Sequence, residues 1–155
     1  MSAKEQKSIP ATTLKLLGKK PAEFDMPITL VQLDGEEVKF AVRVKALDAK
    51  EWAALRDDRQ RAVLSAMKPA DLSPNDGESP IDAAIRMVDK RGFAARTAEA
   101  AERDAELVMK FAVSWPAEDP LNIESLVQLE NEVPGSLETF IGTYDGARFH
   151  GRLGN

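Results

Sequence analysis

Apolar and polar positions alternate in two stretches near the front of the chain, then change to a helical spacing that persists almost to its end. Met26 to Leu33 and Glu37 to Val44 are rich in β-branched residues, and in the second Val38, Phe40, Val42 and Val44 share one face while Lys39, Arg43 and Lys45 share the other. Alternation with period two predicts half-buried strands. Asp34-Gly35 stands between the runs and predicts a hairpin, because glycine accepts the positive φ of a tight turn. Two registers are open. A two-residue loop pairs Val31 with Val38, whereas a three-residue loop puts Met26, Ile28 and Leu30 on the face of Val38 to Val44. Since an isolated hairpin is marginal in water, its apolar face must lie on helices or on another copy's sheet.

Asp48, followed three residues later by Glu51, has the spacing of a capping box and opens a helix to about Met67. Its apolar stripe is Trp52, Leu55, Ala62, Val63, Ala66 and Met67. Asp57 and Asp58 point about 100° apart on a helix and have Arg59 and Arg61 beside them, so they read as a solvated charged face rather than a metal pair. Residues 68–79, with Pro69, Pro74 and Asn75-Asp76-Gly77, read as a mobile loop. That loop has neither the ligand pattern of an EF-hand nor the glycines of a phosphate loop.

The longest predicted element is a single helix from Ser79 to Trp115, on the order of 50 Å at about 1.5 Å per residue. Ser79 caps it, Pro80 fits its first turn, Asp82 complements its dipole, and Pro116 ends it. Ile81, Ile85, Val88, Ala95, Ala98, Ala101, Ala105, Val108, Ala112 and Trp115 recur along one side. Gly92 before Phe93 is its weak point, since an interior glycine costs about 1 kcal/mol relative to alanine. The alanine stripe within residues 97–110 lets another helix approach closely. Asn122 then opens a short helix, roughly Ile123 to Glu132, with Ile123, Leu126 and Val127 inward. Pro134-Gly135 stops it, and Ser136 caps a last helix with the stripe Leu137, Phe140, Ile141, Tyr144 and Ala147. The fold class is α+β and mainly α-helical: an N-terminal β-hairpin packed on a bundle of about four helices that includes one long central helix.

A length of 155 residues fits one domain with a real core. Residues 1–23 read as a flexible basic arm, with five lysines and one acid among the first twenty positions and an apolar cluster at Leu14, Leu16 and Leu17; residues 24–155 read as the single mainly helical domain. The net charge of −5 disfavours nucleic acid and anionic membranes as partners. No cysteine is present, which removes disulfides, thiolate ligands and cysteine nucleophiles. The first residues lack the apolar core of a secretion signal, and no run approaches the roughly 20 apolar residues that span a bilayer. Between Lys110 and Arg148 there is no basic residue, while Glu118, Asp119, Glu124, Glu130, Glu132, Glu138 and Asp145 are acidic. A negative C-terminal surface of this kind steers basic partners.

Candidate chemistry is sparse. The single histidine, His150, lies near the end, and no dinucleotide turn, phosphate loop or nucleophile elbow occurs. No enzyme, cofactor or metal is expected. Gly142 and Gly146 have a small-residue spacing that in a helix of this kind serves close packing.

Trp115, Asp119, Leu126, Leu129, Pro134-Gly135, Phe140-Ile141, Tyr144, Ala147 and the closing Arg152-Leu153-Gly154-Asn155 resemble the C-terminal pattern of bacteriophage tail assembly chaperones of long-tailed phages and prophages. Phe40 to Lys45, followed by a capped helix with Glu51, is similar to their N-terminal half. The resemblance covers Phe24 to Asn155. It implies a non-catalytic protein of the host cytoplasm that binds the tape measure protein, with the tail tube protein as a second client, and keeps it soluble until the tube polymerises. It further implies absence from the mature virion; the alternative is a structural or adaptor subunit retained in the particle. Many such genes also make a longer frameshifted product. The hairpin edge and the alanine stripe make a homo-oligomer a further expectation. The partner-binding candidates are Trp115, Phe140, Ile141, Tyr144, Arg148 and Arg152, because aromatic and arginine side chains dominate interface energies. The same apolar stripe also fits an ordinary buried core.

Overall fold

The computed structural model describes residues 22–66, 74–90 and 92–150, without the side chains of 87–90. Strands β1 (Glu23–Val31) and β2 (Glu37–Lys45) form the expected hairpin, followed by helices α1 (Ala49–Ala66), α2 (Pro80–Lys90) and α3 (Phe93–Phe111). A short strand β3 (Ala112–Ser114) comes next, then α4 (Ile123–Glu132) and α5 (Ser136–His150). The sheet is antiparallel in the order β1-β2-β3. The architecture is α+β and mainly helical, with one face of the sheet covered by helices.

Leu30 pairs with Val38, Ile28 with Phe40 and Met26 with Val42, so the three-residue alternative for the hairpin is the one adopted. The Gln32 amide donates to the Glu36 carbonyl oxygen at 2.8 Å, and Gly35 takes φ +88° in the loop between them. That left-handed conformation is the reason a glycine follows Asp34. Met26, Ile28, Leu30, Val42 and Val44 are buried on the inner face. On the outer face Arg43 bridges Asp25 at 3.1 Å and Glu23 at 3.4 Å.

Helix starts follow the local chemistry. The Asp48 amide donates to Glu51 Oε2 at 3.1 Å and the Glu51 amide donates to Asp48 Oδ1 at 2.8 Å, a reciprocal capping box. Ser79 Oγ accepts from the Asp82 amide at 3.1 Å, and Asn122 Oδ1 from the Ser125 amide at 2.8 Å. At α5 the cap differs from expectation. Gly135, at φ +87°, supplies the capping carbonyl to the Thr139 amide, while Glu130 of α4 accepts from the Gly135 and Leu137 amides at 2.9 and 2.8 Å. Ser136 is already helical and buried.

The single helix expected from Ser79 to Trp115 is divided. Gly92 adopts φ −57° and ψ 166°, an extended conformation that interrupts the helical hydrogen bonds between α2 and α3. The C-terminal end departs as well, because residues 112–114 leave the helix to pair with β2. Pro116 disfavours helical geometry at Trp115, and the sheet offers these residues alternative hydrogen-bond partners. The apolar stripe is divided in the same way. Ala101, Ala105, Val108 and Ala112 are buried, whereas Ile81 and Ile85 on α2 are 72% and 54% exposed and Ala95 and Ala98 are exposed. No element among the described residues packs extensively on α2. The α1 stripe is also shorter than expected: Trp52 is buried, Leu55 and Val63 are half-buried, Ala62 and Ala66 are exposed, and Met67 lies outside the described residues. Ile123 is 37% exposed rather than inward. Residues 1–21 of the basic arm and residues 68–73 of the loop lie outside the described residues as well.

The core gathers around aromatic rings. Tyr144 and Phe111 stack with centroids 4.0 Å apart and an interplanar angle of 8°, and Trp52 meets both edge-on, at 4.8 Å from Tyr144 and 5.6 Å from Phe111. Such geometry suits the ring quadrupoles. The Trp52 indole N–H donates to Asp145 Oδ1 at 2.6 Å, and Arg56 pairs with the other oxygen of Asp145. Arg59 forks onto Asp104 at 2.8 and 3.2 Å and reaches Glu138 at 3.1 Å, so one guanidinium ties α1 to α3 and α5. These contacts hold its proton still more firmly than usual, chiefly through the Asp104 hydrogen bond.

Candidate functional site

β3 is only three residues long and meets β2 at Arg43 and Val44 alone. Beyond Ser114 the chain turns away at Pro116, so among the described residues nothing pairs with β2 from Glu37 to Val42 on that side. An open cleft of about 390 Å³ lies directly beside this bare strand edge. Its walls are Leu30, Val38 and Phe40 from the hairpin, Trp115 and Pro116 from the segment after β3, and Leu129 and Val133 at the end of α4. The cleft is an unfinished part of the core. The hairpin extends past the three residues of β3, and its inner side chains and those at the end of α4 face the cleft together.

The rim is polar and acidic, with Gln32, Gln128, Asp119 and Glu132 contributing to the lining. Trp115 is half-buried, and its indole N–H donates to the Asp119 carbonyl oxygen at 2.8 Å, which fixes the turn that places the ring at the mouth. Val38 is 40% exposed, and Val31 and Leu33 at the hairpin tip are 58% and 88% exposed. Apolar walls, an acidic rim and an unpaired strand edge together suit an extended or amphipathic peptide segment carrying basic flanks. Within the described residues no group of three or more carboxylate or histidine side chains is placed to hold a metal ion, and no helix is long and apolar enough to cross a membrane.

The six partner-binding candidates separate under this geometry. Trp115 lines the cleft. Phe140, Ile141 and Tyr144 are buried, at 0%, 1% and 0% exposure, the core arrangement that the apolar stripe left open as an alternative; α5 turns this stripe onto β1 and α3, and a partner reaches these rings only by opening the core. Burial raises the Tyr144 hydroxyl above its ordinary value. Arg148 is half-buried with its Nε unpaired by any described group, and Arg152 lies outside the described residues. The cleft residues Leu30, Phe40, Leu129 and Val133 were not singled out as site residues from the sequence. Their only signal was membership of apolar faces.

Residues 11–155 match the family model described as phage tail assembly chaperone. No curated protein and no solved structure gives a significant match.

Proposed function

The chain belongs to the phage tail assembly chaperone family, and from that premise we propose that it binds the tape measure protein in the host cytoplasm and keeps it soluble until the tail tube assembles around it. The tail tube protein is the second client in this reading, and the chaperone leaves before the virion is complete. The role is non-catalytic.

One observation carries the proposal: the open apolar cleft at Trp115, rimmed by Asp119 and Glu132 and flanked by the unpaired edge of β2. A long client exposes apolar segments before its partners polymerise on it, and covering such segments requires apolar surface that is accessible before binding. The negative charge of this chain supports solubility of the resulting complex. The contact is assigned to the cleft rather than to the buried rings of α5.

Co-expression with the tape measure protein tests this. The expected result is a soluble complex that purifies through a tag on this chain and is lost on Trp115→Ala while the chain stays folded. An insoluble, unbound tape measure protein beside a well-folded chaperone overturns the proposal. Presence of this chain in purified virions, detected by mass spectrometry, overturns the part that removes it from the mature particle and favours a structural subunit.

A further inference from the structure

The hairpin ladder fixes which backbone groups of β2 face away from β1. At the tip the Gln32 amide donates to the Glu36 carbonyl oxygen at 2.8 Å, and at the other end the Ala46 amide donates to the Ala22 carbonyl oxygen at 2.7 Å. The register between them is unbroken, so the bonded pairs fall at even positions. Glu37, Lys39 and Ala41 therefore turn their amide and carbonyl groups to the side on which β3 reaches only Arg43 and Val44. Among the described residues nothing pairs with them there. The opposite edge of the sheet is different. β1 turns its odd positions outward in the same way, and Pro27 at the middle of that row has no N–H to offer. Proline on an edge strand blocks further pairing. One edge is closed by its sequence, while the other keeps its donors beside an apolar cleft.

We infer that the client is held here as a strand rather than as a helix: an extended segment of the client pairs with Glu37, Lys39 and Ala41 and continues the sheet where β3 stops. The inference rests on the reading of the cleft as the client site and names the form that the client takes there. The segment carries apolar side chains two residues apart, because those lying beside Val38 and Phe40 enter the cleft between the hairpin, Trp115 and Leu129. Its intervening side chains lie beside Glu37 and Lys39 on the outer face and are polar. A basic residue next to the apolar pair meets Asp119 and Glu132 on the rim.

Backbone chemistry favours the strand. A helix bonds its own amides and carbonyls internally and leaves those of Glu37, Lys39 and Ala41 without protein partners, whereas an added strand uses both sets. The bare stretch from Glu37 to Ala41 is about 17 Å long at strand spacing, enough for a short segment. Along it Val38 is exposed and Phe40 half-buried on the inner face, so a strand in this row covers both. On the outer face Glu37 and Lys39 pair with each other at 3.4 Å. Trp115 and Pro116 line the cleft on the inner side and, with Ala41 and Arg43, a second open recess on the outer side. The docked strand therefore ends against the Trp115-Pro116 step.

Lys39→Pro tests the inference, because residue 39 gives no amide to β1 and proline removes only a donor of the bare edge. In co-expression with the tape measure protein, folded Lys39→Pro should bind the client about tenfold more weakly than the parent. Lys39→Ala, which loses the side chain and keeps the N–H, should bind as the parent does. Full binding by Lys39→Pro, or equal loss in both variants, overturns the inference; if binding still depends on Trp115, the cleft remains the client site. A parent protein that binds no client overturns the client reading and the inference with it. A second measurement uses only the parent chaperone. Overlapping peptides of the tape measure protein locate the bound segment, and its amides are then N-methylated one at a time. Loss of affinity at alternate positions, about tenfold each, is expected of a strand paired along one edge. Loss at successive positions with helical circular dichroism of the bound peptide, or no loss at any position, overturns the inference. A dimer of the chaperone alone, detected by ultracentrifugation and dissociated by Lys39→Pro, also overturns it, because a second copy then occupies the edge.

Discussion

The Tyr144 hydroxyl donates to the Lys45 carbonyl oxygen at 2.6 Å and accepts from the Leu47 amide at 3.0 Å, closing the end of β2 onto α5. Its ring is stacked between Phe111 and, at 6.3 Å, Phe24. One side chain thereby joins the sheet to the helical layer at the point where the chain leaves β2 for α1. The cleft lies toward the opposite end of the hairpin, where among the described residues no comparable side chain fills the space between sheet and helix.

Tyr144→Phe keeps the ring contacts and removes both hydrogen bonds, leaving two part-buried backbone groups to find other partners. The expected loss is about 1–3 kcal/mol. Tyr144→Ala also opens a cavity among Trp52, Phe111 and Phe24 and should cost about 3–5 kcal/mol. Urea unfolding followed by tryptophan fluorescence measures both. Equal stability of the phenylalanine variant and the parent would show that the hydroxyl contacts contribute nothing net.

The chain has one tyrosine, so absorbance of the tyrosinate reports a single group. Burial, its largest perturbation, raises the Tyr144 pKa above 10.0 in the folded state. The stability linked to this group is fully present below about pH 10, the unfolded value, and is lost as pH rises through the raised folded value. A native titration midpoint above that of the urea-unfolded chain is the expected outcome. The alkaline decline in stability should be shallower in Tyr144→Phe.

Arg59 holds Asp104 and Glu138 from a side chain only 20% exposed, and Asp104 is 18% exposed. Arg59→Ala leaves the Asp104 carboxylate short of its partner, and the expected destabilisation is about 1.5–3 kcal/mol. Arg59→Lys keeps the charge but loses the planar fork, so it should recover only part of that loss. Full recovery in the lysine variant, measured by thermal unfolding, would reduce the role of Arg59 to that of a point charge.

Strand and helix existence was legible where a local rule and the tertiary environment agreed. The alternation of β2 and the Asp48–Glu51 box both appear in the fold as their chemistry requires. The helix from Ser79 to Trp115 was misread where they disagreed: Ala112 to Ser114 have helical spacing with what precedes them, but the edge of β2 supplies their hydrogen bonds. The α5 stripe was legible as apolar, yet period alone does not say whether a partner or the protein's own core covers it. The cleft was hidden for another reason. Leu30, Phe40, Trp115 and Val133 come from four separate segments, and the space between them exists because β3 stops early. Glu130, which caps α5 from α4, was hidden in the same way, since its acceptor role depends on the angle at which Pro134-Gly135 returns the chain.

The two tryptophans provide the sharpest contrast between folding and function. Trp52 is fully buried, touches Phe111 and Tyr144, and donates to Asp145, so Trp52→Ala should cost about 3–5 kcal/mol and lower client binding only by depleting folded protein. Trp115 has one face in the cleft and one hydrogen bond to its own turn, so Trp115→Ala should leave most of the stability intact. In the proposed client contact its loss falls on binding: an aromatic anchor at the centre of a contact is worth about 2 kcal/mol or more, so its removal should lower affinity more than tenfold. Trp115→Phe, which restores an apolar ring without the indole N–H, should recover much of that binding. Co-purification of the tape measure protein, normalised to folded chaperone, measures the difference. Binding that survives Trp115→Ala and fails in step with stability across all variants would place the client elsewhere on the molecule.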